Sequence, residues 1–207
     1  LNRKLIIFDF DGTLADTLPV FVNLFDQAAD KYGFRRMDRG RQQELRNLDA
    51  RQMMAIHEIP LWKVPAIATF MRSAMGRSLA DIRLFDGMED VLRALKAQGL
   101  MLAIVSSNSR SNVVAVLGPE LAGLFTRFEC GASLFGKLPK IRKVLAAAGV
   151  AREQTMLIGD EIRDARVSAE AGIDFGAVAW GFNHVEALIA EQPAQVFRQV
   201  AELARLG

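Results

Sequence analysis

The sequence predicts an α/β protein, a doubly wound parallel sheet carrying an inserted all-helical subdomain. Three observations predict it. Short apolar runs recur at 5–8, 101–105, 155–158 and 175–179, each followed by a polar or glycine-containing turn. Helical patterns separate them, and strand–helix–strand repeated along a chain gives a parallel sheet covered on both faces. Between the first two runs lies a long stretch, 16–83, with helical spacing and no convincing strand.

Each element follows from local pattern. The first run, Leu5-Ile6-Ile7-Phe8, is apolar throughout, as in a strand buried on both faces. It ends in Asp9-Phe10-Asp11-Gly12-Thr13. Two acids at the edge of a dry core are costly, and a metal ion and a reaction that need them make the arrangement tolerable. Gly12 lets the backbone turn sharply. In the long stretch, Phe21, Leu24, Phe25 and Ala28 share one helix face. Met53, Met54, Ile56 and the stretch 67–75 read as helical, with Pro60 and Pro65 breaking the region between them. The expected division is an α/β core from 1–15 and 85–207, with 16–84 as the helical insertion. Beyond it, Val91, Leu92 and Leu95 form a face before Gly99, and Ile141, Val144, Leu145 and Ala148 before Gly149. A shorter strand candidate is 125–130, and a third short helix, 165–171, ends at Gly172.

Composition narrows the function classes. The chain has 207 residues, 51% hydrophobic and 24% charged, which fits a folded globular protein rather than a disordered one. A net charge of +2 is too weak to argue for nucleic acid binding. The tract Arg35-Arg36-Met37-Asp38-Arg39-Gly40-Arg41 lacks interleaved aromatics and reads as a solvated loop. Cys130 is the only cysteine, so no internal disulfide forms; it reads as a small buried hydrophobe in a reducing compartment. No run approaches the roughly 20 apolar residues of a membrane span, and 5–8 is too short for the apolar part of a secretory leader. The expectation is a cytoplasmic protein.

Ligands of open parallel sheets bind at the carboxyl ends of the strands. The first run delivers Asp9 and Asp11 there, and the second delivers Ser106-Ser107-Asn108. The run at 155–158 delivers Gly159-Asp160-Glu161, with Asp164 one helical turn further on, and Gly136-Lys137 opens a helix whose first turn also carries Lys140. Carboxylates suit Mg2+. A hydroxyl, a lysine and amides at a helix start suit a phosphate dianion, and a remaining carboxylate suits a nucleophile.

With these residues in this order, the chain resembles the haloacid dehalogenase-like superfamily. The motifs are Asp9-x-Asp11-Gly12-Thr13, Ser106 after an apolar strand, Lys137, and Gly159-Asp160-x-x-x-Asp164. The resemblance covers nearly the whole chain, since the helical insertion falls where the family carries its C1 cap. It implies a Rossmann-like core and a phosphatase. Asp9 would be the nucleophile that becomes an aspartyl-phosphate. Asp11 would be the general acid, then the base. Mg2+ would be held by Asp9, the Asp11 main-chain carbonyl and Asp160, with Asp164 behind them ordering metal-bound waters or Lys137. Ser106 and Lys137 would bind the phosphoryl oxygens. An aspartate at Asp11 argues for phosphate esters, because family members acting on carbon–halogen or carbon–phosphorus bonds lack it.

Some positions stay open at this level. Ser107 competes with Ser106 and Lys140 with Lys137; the strand count favours Ser106, and Gly136 before Lys137 favours Lys137. Glu161 is as suited to a helix N-terminus as to a metal. Asn108 and Arg110 either help hold phosphate or start a helix, and Arg46 either reaches the leaving group or is solvated. His57 reads as structural, the loop Trp180-Gly181-Phe182-Asn183-His184 as packing with a rim contact, and Met53, Met54, Met71 and Met75 as cap core. The expected partner is a small phosphorylated metabolite, similar in style to the substrates of phosphoglycolate phosphatases, with neither nucleic acid nor membrane implied and no oligomeric state read. A phosphomutase of the β-phosphoglucomutase type and a non-catalytic binding protein are the alternatives.

Overall fold

The computed structural model describes residues 3–131 and 136–206. Its strands are β1 (Leu5–Phe8), β2 (Ala15–Asp16), β3 (Arg83–Leu84), β4 (Met101–Val105), β5 (Phe125–Glu129), β6 (Thr155–Gly159), β7 (Asp174–Val178) and β8 (Gln195–Phe197). Six of them form one sheet in the order β5-β4-β1-β6-β7-β8, with parallel pairing throughout. The α/β doubly wound class is therefore correct. β1 lies between β4 and β6, with Phe8 level with Ile104 and Ile158. That register brings the residues just beyond all three strands to one edge.

The helices are α1 (Leu18–Tyr32), α2 (Gln42–Leu45), α3 (Ala50–Ile56), α4 (Val64–Arg77), α5 (Met88–Ala97), α6 (Arg110–Ala122), α7 (Leu138–Ala148), α8 (Ile162–Ala171) and α9 (Val185–Ile189). Strand side chains alternate between two faces. Ile6, Phe8, Leu102, Ile104 and Met156 pack with Val91, Leu92 and Leu95 of α5 and Val113 and Leu117 of α6. Leu5, Ile7, Ala103, Val105 and Leu157 pack with Ile141 and Val144 of α7 and Ala171 of α8. Burying apolar side chains on both faces is worth about 1.5–3 kcal/mol for each large one and anchors the strand ends that carry the polar groups.

Three features depart from the sequence reading. β8 adds a sixth strand; only three residues long and half-polar, it leaves no periodic signal. β2 and β3 form a two-residue antiparallel ribbon, Ala15 opposite Leu84 and Asp16 opposite Arg83, at both ends of the helical stretch. α6, for which no pattern was read, breaks at Gly118-Pro119, where Gly118 has φ 70°.

Between β2 and β3, α1 packs on α4. Val22, Phe25, Met37 and Leu45 are buried there. His57 is buried among them, its ring centroid 4.7 Å from that of Phe25 and its Nδ1 3.0 Å from the Arg35 carbonyl oxygen. The arginine tract is spent locally, in the pairs Arg35–Glu58, Arg36–Asp30, Arg39–Asp26 and Arg41–Glu44.

Candidate active site

At the carboxyl edge, Asp9 follows β1 directly and is buried. Its Oδ1 accepts the Phe10 amide at 2.7 Å, and its Oδ2 lies 2.5 Å from Lys137 Nζ. Lys137, at the start of α7, also donates to Asp164 Oδ1 at 2.6 Å. Burial alone would disfavour the ammonium, but Asp164 and Asp9 together raise its pKa, so Lys137 is a fixed cation. Lys140, one turn on, donates to the main-chain carbonyls of Ser106 (2.7 Å) and Gly131. Of the two lysines, Lys137 faces the acids and Lys140 braces the loop after β4.

Asp160 follows β6 and is fully buried. Thr13 Oγ1 donates to its Oδ1 at 2.6 Å, and the Phe182 amide donates to its Oδ2 at 2.7 Å. Asp9, Asp160 and Asp164 each offer an oxygen within 4.8 Å of the others. Asp11 is outside this cluster; its Oδ1 accepts from Asn108 Nδ2 at 3.1 Å. Burial, then the nearby Asp9 charge, push the Asp11 carboxyl up to about 7. Asn108 is itself held, its Oδ1 accepting from Asn112 Nδ2 at 2.9 Å and from the Ser109 amide at 2.8 Å. It orients Asp11 and starts the turn into α6. Ser106 is buried, its Oγ accepting the Asn108 amide at 3.0 Å, and Ser107 sits half-buried at the cavity margin. Glu161 pairs with Arg163 at 2.5 Å, and Arg110 stacks its guanidinium 5.4 Å from the Phe128 ring centroid.

A cavity of about 410 Å³ rises from Asp11, Ser107 and Asn108 into the helical insertion. Arg46 borders it, but its guanidinium turns to the core, donating from Nε to the Phe182 carbonyl (3.0 Å) and from Nη2 to the Gly181 carbonyl (2.7 Å). Met53, Met54, Met71 and Met75, expected in the cap core, also form part of the cavity wall.

Comparison with known proteins decides the family. A family model described as haloacid dehalogenase-like hydrolase matches residues 6–178. This chain belongs to the haloacid dehalogenase-like hydrolase family. A phosphoglycolate phosphatase of Synechococcus elongatus is 32% identical over 97% of this chain and 98% of its own length. One of Pseudomonas putida is 26% identical over 97% of this chain and 78% of its length. The solved structure of a haloacid dehalogenase-like family hydrolase from Streptococcus pneumoniae superposes with TM-score 0.80 at 23% identity, covering 98% of this chain and 97% of that one.

The donor set of this family member suits a hard divalent cation. Three buried carboxylates converge, and Asp160 is pushed well above the usual carboxylate range by burial and by Glu161, Asp9 and Asp164. Crowded acids of this kind are relieved by a cation with oxygen ligands.

Sequence reasoning missed the residues that hold Asp160. Thr13 lay inside the quoted motif without a role, and its side chain steadies Asp160. Gly12 has φ 77°, and a Cβ on Gly12 or Gly181 would collide with the Asp160 side chain. Gly181 and Phe182 lie in the loop after β7, which reads as packing because its contribution is main-chain. The glycine beside two aromatics in that loop was the available signal.

Proposed function

We propose that this protein is a Mg2+-dependent phosphatase acting on a small phosphomonoester through an aspartyl-phosphate on Asp9. The observation that carries the reading is the Asp9 carboxylate, buried and clamped by the Lys137 ammonium at 2.5 Å and the Phe10 amide at 2.7 Å, with Asp11 pushed up to about 7 two residues away. The clamp fixes the orientation of a nucleophile, and a carboxyl poised near neutrality serves both as acid and as base.

In the first step an Asp9 oxygen attacks phosphorus, the bond from phosphorus to the ester oxygen breaks, and protonated Asp11 gives its proton to the departing alkoxide. In the second, the Asp11 carboxylate takes a proton from water, the water oxygen attacks phosphorus, and the Asp9–phosphorus bond breaks to release phosphate. The sum is ester plus water giving alcohol plus phosphate. Asn108 holds the Asp11 carboxyl toward the cavity, the Ser106 hydroxyl donates to a phosphoryl oxygen, and Lys137 balances charge as it accumulates on the transferring group. Mg2+, held by Asp9, the Asp11 main-chain carbonyl and Asp160, would offset repulsion between the acids and the phosphate dianion. Residues 16–84 act as the cap that covers the site.

The names of the relatives make phosphoglycolate the first ester to try. The test is turnover of p-nitrophenyl phosphate and a panel of phosphate esters with Mg2+. Sustained hydrolysis that chelation abolishes, together with loss of turnover in a folded Asp9→Asn variant, is the expected result. Full activity of Asp9→Asn refutes the assignment.

A further inference from the structure

The cavity above Asp11 has a wall unlike the floor. Phe21, Leu45, Leu48, Met53, Met54 and Met71 surround it. The arginines at its margin are engaged: Arg46 with the Gly181 and Phe182 carbonyls, Arg163 with Glu161 at 2.5 Å, and Arg72 with Thr69 Oγ1 at 3.1 Å. Asn183 is spent as well, its Oδ1 accepting the Ile162 amide at 3.0 Å and its Nδ2 donating to the carbonyls of Arg46 (2.7 Å) and Leu48 (3.0 Å). Among the fully buried polar atoms of the wall, one has no partner. Thr17 is fully buried, and its Oγ1 has no hydrogen-bond partner among the described residues. That hydroxyl is sealed from solvent and adds no polar group to the open face of the cavity.

A second cleft, of about 510 Å³, lies on the other side of Ser107 and is bordered by Lys137, Lys140, Arg163 and Arg166. Lys137 there pairs with Asp9 and Asp164, Arg163 with Glu161 and Arg166 with Asp49 and Glu191, Lys140 donates to carbonyls, and Arg51 also borders the cleft.

From this we infer that the substrate is a phosphomonoester whose alcohol portion is a predominantly apolar alkyl or aryl body. The inference rests on the phosphatase reading for the placement of the phosphate on the floor. A volume of about 410 Å³ lies in the range of small-molecule sites and far exceeds what a two-carbon group fills. An alkyl chain there leaves water for an apolar wall. The methionines make that wall adaptable to differing shapes.

The test uses non-hydrolysable phosphonates, so that binding is read apart from turnover. The full chain is titrated calorimetrically, in saturating Mg2+, with methyl-, butyl- and hexylphosphonate and with phosphonoacetate, while hydrolysis of p-nitrophenyl phosphate is followed in parallel. Affinity is expected to rise up to about fourfold per methylene as the chain lengthens, with hexylphosphonate binding at least about tenfold more tightly than phosphonoacetate. The folded Met54→Gln variant should flatten the series. Affinity independent of chain length, or phosphonoacetate binding more tightly than hexylphosphonate, overturns the inference even where the ester is hydrolysed. A rising series in a protein that hydrolyses no ester upholds the apolar site and removes the phosphatase reading instead.

Discussion

The floor of the site and the helical stretch above it are held by different means. On the floor, Asp9, Asp160, Asp164 and Lys137 are buried, and each is fixed by partners from distant parts of the chain. The helical stretch meets the core through apolar packing, with Leu24, Ala74 and Met75 in the same buried cluster as Val113 and Leu117 of α6, through Asn112 Nδ2 donating to the Arg72 carbonyl at 3.3 Å, and through polar contacts on the other side of the cavity. Arg46 reaches the Gly181 and Phe182 carbonyls, Asn183 reaches back to the carbonyls of Arg46 and Leu48, Asp49 pairs with Arg166, and the Phe21 ring meets that of Phe182 edge-on at 5.3 Å. The cavity lies between these two sets of contacts. The difference separates tasks. Chemistry needs charges that do not move, and on the proposed reading the helical stretch must also part from the core to admit and release substrate.

Substitutions on the two sides should therefore differ in kind. The largest effect is expected from Lys137→Met, which leaves Asp9 and Asp164 facing each other without their shared cation. Turnover should fall by at least about 10³-fold, and stability by about 3 kcal/mol in chemical denaturation with Mg2+ absent, as when one member of a buried ion pair is removed. A variant as stable as the parent would show the charge cluster to be less demanding than its burial implies. Next, Gly181→Ala pushes a methyl group into Asp160. Overpacking of this kind costs about 1–3 kcal/mol, and Mg2+ affinity, measured by calorimetry, should fall with it.

On the other side, Arg46→Ala removes two hydrogen bonds between cover and core. A stability loss of about 1–2 kcal/mol is expected, with KM rising more than kcat falls. Should kcat collapse while KM holds, Arg46 would belong to the chemistry and the division of tasks would fail. The smallest effect is expected from Arg166→Ala, whose side chain is 57% exposed. Exposed pairs are worth little, so stability should change by less than about 0.5 kcal/mol, and steady-state parameters should stay within about twofold.

How much of this was readable in the sequence follows the same division. The parallel core was legible because its strands are uninterrupted apolar runs, and the acids at their ends stood out because charge beside such runs is costly. The weak elements were not: β8 is short and half-polar, and β2 and β3 have two residues each. At the site, side chains that carry charge were legible, and the groups that hold them were less so. Asp160 is steadied by a threonine hydroxyl and a main-chain amide, and amides have no identity in sequence. Arg46 shows the converse limit. Its type suggested a reach toward substrate, and only the position of the 181–182 loop turns its guanidinium to the core. The methionines were recognised as apolar filling, but spacing along a helix does not say whether the neighbouring space is occupied by protein or left open.

The ribbon of β2 and β3 has a bearing on how this molecule can diversify. Ala15 and Leu84 stand opposite each other, so the chain departs from the core and returns to it at neighbouring points, about 5 Å apart as in any antiparallel pair. Whatever is spliced between those points, longer, shorter or differently shaped, leaves the register of the parallel strands untouched. Lineages sharing this doorway could exchange the whole intervening module and inherit the acid cluster intact, changing diet without relearning how to digest.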